Sequence, residues 1–116
     1  MKINSFLEQY LATALWSSID ENDDPFDWNY SIYDFSEEAL KQADKECDLF
    51  IEKAGDLLDG FDDTDIAHDF WLTRNGHGAG FWDGDYPDDI GDKLTKIADE
   101  FRELHIYVDD GKLYFE

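Results

Sequence analysis

The apolar residues Ile3, Phe6, Leu7, Tyr10, Leu11, Ala14 and Leu15 recur at i, i+3 and i+4, which predicts an amphipathic helix over 3–19. The polar run DENDDP, Asp20 to Pro25, ends it and reads as a loop. Residues 26–35, FDWNYSIYDF, are aromatic and partly alternating, and read as an extended segment held to the core by its rings. Ser36 is placed to cap a second helix, with Glu37 and Glu38 in the first turn where the helix dipole favours anions. The apolar stripe of that helix is Leu40, Ala43, Cys47, Phe50, Ile51, Ala54, Leu57 and Leu58, with Gly60 as its expected stop.

The next two runs, 66–73 (IAHDFWLT) and 79–83 (AGFWD), read as strands joined through Arg74-Asn75-Gly76-His77-Gly78, since Asn-Gly between apolar-aromatic runs is a hairpin signal. A third helix is expected from Asp88 to about Phe101, with Ile90, Leu94, Ile97, Ala98 and Phe101 on one face. The chain closes on a second hairpin, His105–Val108 and Lys112–Phe115, around Asp109-Asp110-Gly111. The order ααββαββ predicts a single α+β domain spanning 1–116, with three helices packed on a small antiparallel sheet built from two hairpins.

Charge changes the picture most. The chain carries 30 Asp and Glu against 9 Lys and Arg, a net of −21 in 116 residues. Such a chain repels itself and resists compaction, yet stays soluble. With 42% hydrophobic and 16% aromatic residues it has material for a core, unlike a disordered acidic tail. Nine scattered cations do not form the basic patch that nucleic acid requires, so direct DNA or RNA binding is not expected and a basic protein partner is. Nothing approaches the ~20 apolar residues of a membrane span, and the N-terminal residues have no secretory h-region. The lone cysteine, Cys47, cannot form an internal disulfide and fits a reducing cytosol.

Asp44, Asp48, Glu52 and Asp56 recur at i, i+4, which on a helix makes a row of carboxylates about 6 Å apart. That spacing is similar to phosphates along one nucleic-acid strand. A net of 21 negative charges matches roughly ten base pairs of duplex at about one charge per 1.7 Å. Lys41, Lys45 and Lys53 screen part of the row, and a merely solvated face is the plain alternative. The candidate partner-binding residues are therefore Asp44, Asp48, Glu52, Asp56, Asp59, Asp62 and Asp63, together with Asp20, Glu21, Asp23 and Asp24.

Other chemistry is less favoured. Asp20, Asn22 and Asp24 alternate as calcium ligands do, but Pro25 and Ser31 stand where an EF-hand loop needs Gly and Glu. Gly76, Gly78 and Gly80 open no helix and lie among acids, so no phosphate loop or cofactor is expected. The block 68–83 gathers His68, His77, Asp69, Asp83 and Arg74, without HExxH, a Cys pair or a nucleophile–base set. No metal and no catalytic residue is assigned. Arg74, Asn75, His77 and Asp83 form the alternative candidate ligand site.

The block HDFWLTRNGHGAGFWDGD resembles the core of a broad family of small acidic proteins of tailed bacteriophages. The likeness extends to FLEQYLATALWSSIDEND and PFDWNYSIYDFS near the start and to IYVDDGKLYFE at the end, and so covers most of the chain. The family brings no established activity and no catalytic residues. It implies a context, a phage product in the cytoplasm of an infected bacterium. Together with the charge it suggests a DNA-mimic-like inhibitor of a host or defence nucleic-acid-binding protein. A structural or accessory phage protein without catalysis, and a small ligand- or metal-binding module around 74–83, are the alternatives.

Overall fold

A computed structural model of the protein describes residues 2–76, 79–82 and 86–116. Among these residues four α-helices and one two-stranded antiparallel sheet form the main elements: α1 (Ser5–Ser17), α2 (Glu37–Ala54), α3 (Asp63–Arg74), α4 (Asp88–Asp99), β1 (Ile106–Asp109) and β2 (Lys112–Phe115). The fold is α+β, but the expected order ααββαββ is corrected to αααα followed by a single hairpin.

The main correction is α3, which occupies the first expected strand. Ile66, Ala67, Asp69, Phe70, Trp71, Leu72, Thr73 and Arg74 are all buried. A helix buried nearly all round has no apolar stripe, so its period is invisible and its aromatic and β-branched content imitates a strand. Its start is marked by Asp63 and Asp65 in the first turn, where the helix dipole favours them. Its end is marked by Asn75 and then Gly76 at φ 67°. Asn-Gly here closes a helix rather than a hairpin, because glycine takes the left-handed conformation a helix C-terminus needs. The second expected strand is corrected as well. Residues 79–82 run through a bend into a turn, in which the Phe81 amide donates to Thr73 Oγ1 at 3.1 Å, and Asp83 lies outside the described residues.

Three smaller differences follow from local chemistry. Residues 26–35 hold two 3₁₀ turns, Phe26–Trp28 and Ile32–Asp34, rather than an extended segment. The second is closed by a capping box between Ser31 and Asp34. Helix α2 stops at Gly55 (φ 50°), not Gly60, and a 3₁₀ turn over Gly55–Leu58 follows. Helix α4 ends at Asp99, two residues before the expected Phe101.

Helix α1 is capped by Asn4, whose Oδ1 accepts from the Leu7 amide at 2.8 Å, and α2 by Ser36, whose Oγ accepts from the Ala39 amide at 3.0 Å. Such caps contribute about 1 kcal/mol each. The expected C-terminal hairpin is present. Asp109 pairs with Lys112 across Asp110-Gly111, both with positive φ, which is the geometry of a two-residue type I′ loop. Leu113 and Phe115 point inward from β2. The hairpin is tied to the start of α2 by the Ser36 amide, which donates to the Leu113 carbonyl at 2.8 Å.

The core lies where α1 packs along α3, with α2 and α4 flanking. It is largely aromatic: Phe50 stacks on Phe70 with centroids 4.1 Å apart, and Tyr10 meets Trp71 edge-on at 5.3 Å. Gly91 lets α4 approach this cluster, since a Cβ there would lie 2.6 Å from the Phe81 carbonyl oxygen.

Candidate functional site

Arg74 is the most constrained cation in the chain. Its side chain is 1% exposed, and Nη1 lies 3.0 Å from both Glu46 Oε1 and the Tyr10 hydroxyl. Nε and Nη2 donate to the Arg102 carbonyl at 2.9 and 2.5 Å. The guanidinium also lies over Phe70 and Phe101, at 5.7 and 5.4 Å from the ring centroids. Arg74 thus joins α1, α2, α3 and the chain after α4, and its donors are engaged by the protein itself. Neighbouring Asn75 accepts from the Leu104 amide at 2.8 Å and donates to the Trp71 carbonyl at 2.9 Å. Both residues hold the fold together. His77 and Asp83, the other members of the alternative ligand site, lie outside the described residues. Among the described residues no group of three or more His, Cys, Asp or Glu side chains could hold a metal ion.

Burial sets the chemistry of two weakly acidic groups, Tyr10 and Cys47, that feel the charge of Arg74. It pushes the Tyr10 phenol far above its ordinary value of 10.0, with Arg74 pulling the other way. Burial likewise raises the Cys47 thiol well above 9.0, with Asp44 adding to the effect. Neither is an available nucleophile near neutral pH.

The acidic candidates fall on separate elements. Asp44, Asp48 and Glu52 share a shallow depression along α2 whose rim also carries Lys41, Lys45 and Leu49. Asp56 leaves that row because Gly55 ends the helix first and places it in the following 3₁₀ turn. The regular row is thus three carboxylates long, about 12 Å at 1.5 Å per residue. Asp59 follows the 3₁₀ turn, Asp62 precedes α3 without a side-chain capping bond and Asp63 opens the helix, all exposed. Asp20 to Asp24 form a tight turn of their own. Asp20 Oδ1 accepts from the amides of Asn22 at 2.8 Å and Asp24 at 3.1 Å, and Asp23 takes a φ of 64°. Asp20 therefore spends one carboxylate oxygen on its own loop, while Glu21 and Asp23 are exposed.

The cations are unevenly distributed among the elements. Lys41, Lys45, Lys53, Lys93, Lys96 and Arg102, six of the nine, lie on α2, α4 and just after α4. There Lys53 pairs with Glu100 at 3.2 Å and Lys41 with Glu37 at 3.5 Å. By contrast Ile3–Leu40 holds nine acids and no Lys or Arg, and Ala54–Thr73 holds six acids and again no Lys or Arg. These stretches carry α1 and α3, which pack on each other. The stretches that carry α1 and α3 are therefore those without lysine or arginine, whereas the α2 row lies among Lys41, Lys45 and Lys53.

A groove of about 500 Å³ opens between α1 and the 3₁₀ segment after it. Glu8, Trp16, Asp27, Tyr30, Tyr33 and His68 are among its walls. Trp16 is 59% and Tyr33 76% exposed, as are Trp28 and Trp82 elsewhere on the surface to a similar degree. His68 reaches the groove from α3: its Nδ1 is 2.9 Å from Thr13 Oγ1, and its ring lies 5.7 Å from that of Trp16. His68 also borders a second depression, where the Tyr86 hydroxyl donates to Asp69 Oδ2 at 2.6 Å. Sequence reasoning placed none of Glu8, Trp16, Tyr33 or His68 in a binding site. The available signal was the lysine- and arginine-free run through residue 40, with Trp16, Ile19, Trp28 and Tyr33 set among its acids.

Comparison with protein-family models, with curated proteins and with solved structures finds no match to this chain. No helix among the described residues is long and apolar enough to cross a membrane.

Proposed function

We propose that this protein is a non-catalytic acidic binding protein that occupies the nucleic-acid-binding face of a basic partner, in the manner of a DNA mimic. The observation that carries the reading is how little of the charge is used internally. Among the described residues only Glu37, Glu46 and Glu100 make ion pairs with Lys or Arg. The remaining exposed acids are available to a partner, and the stretches 3–40 and 54–73 contribute no lysine or arginine to oppose one. Such a surface steers a cationic partner quickly and with steep salt dependence. The resemblance to small acidic bacteriophage proteins favours a host or defence protein of an infected bacterium as that partner, met in its cytoplasm.

The test is affinity capture from bacterial lysate with the whole protein as bait, washed at low and then moderate salt. The expected result is a nucleic-acid-binding protein that elects the bait at low salt, leaves at moderate salt and is displaced by competing duplex DNA. A partner indifferent to both salt and DNA would refute the mimic reading and favour an accessory role set by shape.

A further inference from the structure

We infer that the groove between α1 and the 26–35 segment is a receptor for an arginine or lysine side chain carried on a basic segment of a protein partner. This rests on the proposed function and adds to it a specific point of contact. Three observations meet here. The groove is an open cleft of about 500 Å³, with room for one long side chain. Its walls combine the carboxylates of Glu8 and Asp27 with the rings of Trp16, Tyr30 and Tyr33. It also lies in the stretch free of Lys and Arg, so no cation of that stretch competes for those carboxylates.

Aromatic faces beside carboxylates favour a partly desolvated cation over any anion or neutral apolar group. The ring quadrupole attracts the cation, and the carboxylate completes the charge pair. Guanidinium fits best, because its plane stacks on a ring while its edge donates to a carboxylate. The aromatic walls also explain what charge alone does not. A purely electrostatic surface needs no rings, whereas Trp16 and Tyr33, unlike the equally exposed Trp28, line this groove together with Glu8 and Asp27. Rings of this kind act as anchors at protein interfaces, surrounded by polar residues that contribute little individually. The α2 depression lacks this combination. Its walls are Asp44, Asp48 and Glu52 with Lys41, Lys45 and Leu49, without a ring.

The test is a titration of the full-length, isotopically labelled protein, followed by backbone amide and indole NMR signals. The probes are the peptide Ac-GSGRRRGSG-NH2, its citrulline counterpart and free spermidine. The arginine peptide should shift the Trp16 indole and the amides around Glu8–Trp16 and Asp27–Tyr33, and the citrulline peptide should not. Replacing Trp16 and Tyr33 together by Ala should weaken arginine-peptide binding about tenfold, as two partly exposed cation–π contacts imply. Asp27→Asn, which keeps the shape, should weaken it less. Shifts confined to Asp44, Asp48 and Glu52 would overturn the assignment, as would a W16A/Y33A protein that binds undiminished. Equal binding of spermidine in the groove would overturn the commitment to a protein segment. The two readings fail separately. A bait that captures no DNA-displaceable partner ends the mimic reading, whereas a W16A/Y33A bait that captures it as well as the wild type ends only the groove.

Discussion

Arg74 and Glu46 meet at 3.0 Å across the α2–α3 interface, the arginine buried and the glutamate reaching toward solvent with 23% of its side chain exposed. The pair is one arm of a junction that also takes in the Tyr10 hydroxyl and the Arg102 carbonyl. In a chain with so few cations, one of them is spent on holding four parts of the fold together.

The junction should be costly to break. Arg74→Met leaves Glu46, the Tyr10 hydroxyl and the Arg102 carbonyl without their donor, and removing one side of a buried pair costs about 3–5 kcal/mol. Arg74→Lys should recover only part of this, because an ammonium cannot span the Arg102 carbonyl and Glu46 with a planar fork. Glu46→Gln should cost about 1 kcal/mol, since its carboxylate is partly solvated. Urea unfolding midpoints at constant slope measure all three. A loss under about 1 kcal/mol for Arg74→Met would show that the junction contributes little.

Tyr10 and Cys47 make the fold sensitive to alkali. Burial raises both above their ordinary values of 10.0 and 9.0. The unfolded chain therefore releases these protons first, and stability falls as pH rises through the unfolded values, from about pH 8.5 upward. Below that range the contribution is fully present. Unfolding free energy should be insensitive to these groups from pH 6 to 8 and decline between pH 9 and 11. Tyr10→Phe and Cys47→Ala should each reduce the slope of that decline, even where they lower stability at neutral pH. Cys47 should also react with a thiol reagent only as fast as the protein opens.

Gly91→Ala offers a test of sign. In an exposed helix the change would stabilise by about 1 kcal/mol through propensity. Here the new Cβ would meet the Phe81 carbonyl at 2.6 Å, and overpacking costs about 1–3 kcal/mol. Net destabilisation is expected in thermal melts. A raised melting temperature would mean that α4 moves away from Phe81 at little cost.

The acids should divide by role. Asp20→Ala removes the carboxylate that organises the 20–24 turn and should cost about 1 kcal/mol at any ionic strength. Asp48→Asn relieves i, i+4 repulsion with Asp44 and Glu52 and should stabilise by a few tenths of a kcal/mol at low salt, an effect that fades with screening. The wild-type melting temperature should itself rise from low to moderate salt. Melting curves at two salt concentrations separate these outcomes, and a salt-independent wild type would contradict a strongly self-repelling surface.

The amphipathic elements were legible in the sequence because each keeps one face in water. Helices α1, α2 and α4 show their period, and Asp110-Gly111 shows its turn. Helix α3 was not, because Ile66 to Arg74 is buried almost all round and a residue buried on every side leaves no period to read. The candidate site was legible in part. The acidic residues are plain in the sequence, but the end of α2 at Gly55 decides that Asp56 leaves the row.

Residue types alone determined the sign of the surface, the expectation of a basic partner, and the presence of a core rich enough in rings to fold against that charge. Tertiary structure decided which stretches of the chain lie together. Packing α1 on α3 brings together two stretches without exposed lysine or arginine, while α2 and α4 collect most of the cations and pair some of them with acids. It also made Arg74 structural and formed a groove from Glu8, Asp27, Trp16, Tyr33 and His68, residues up to 60 positions apart. The physical reason is that charge sums over composition, whereas a site depends on distance, and distances between remote residues exist only once the helices have packed.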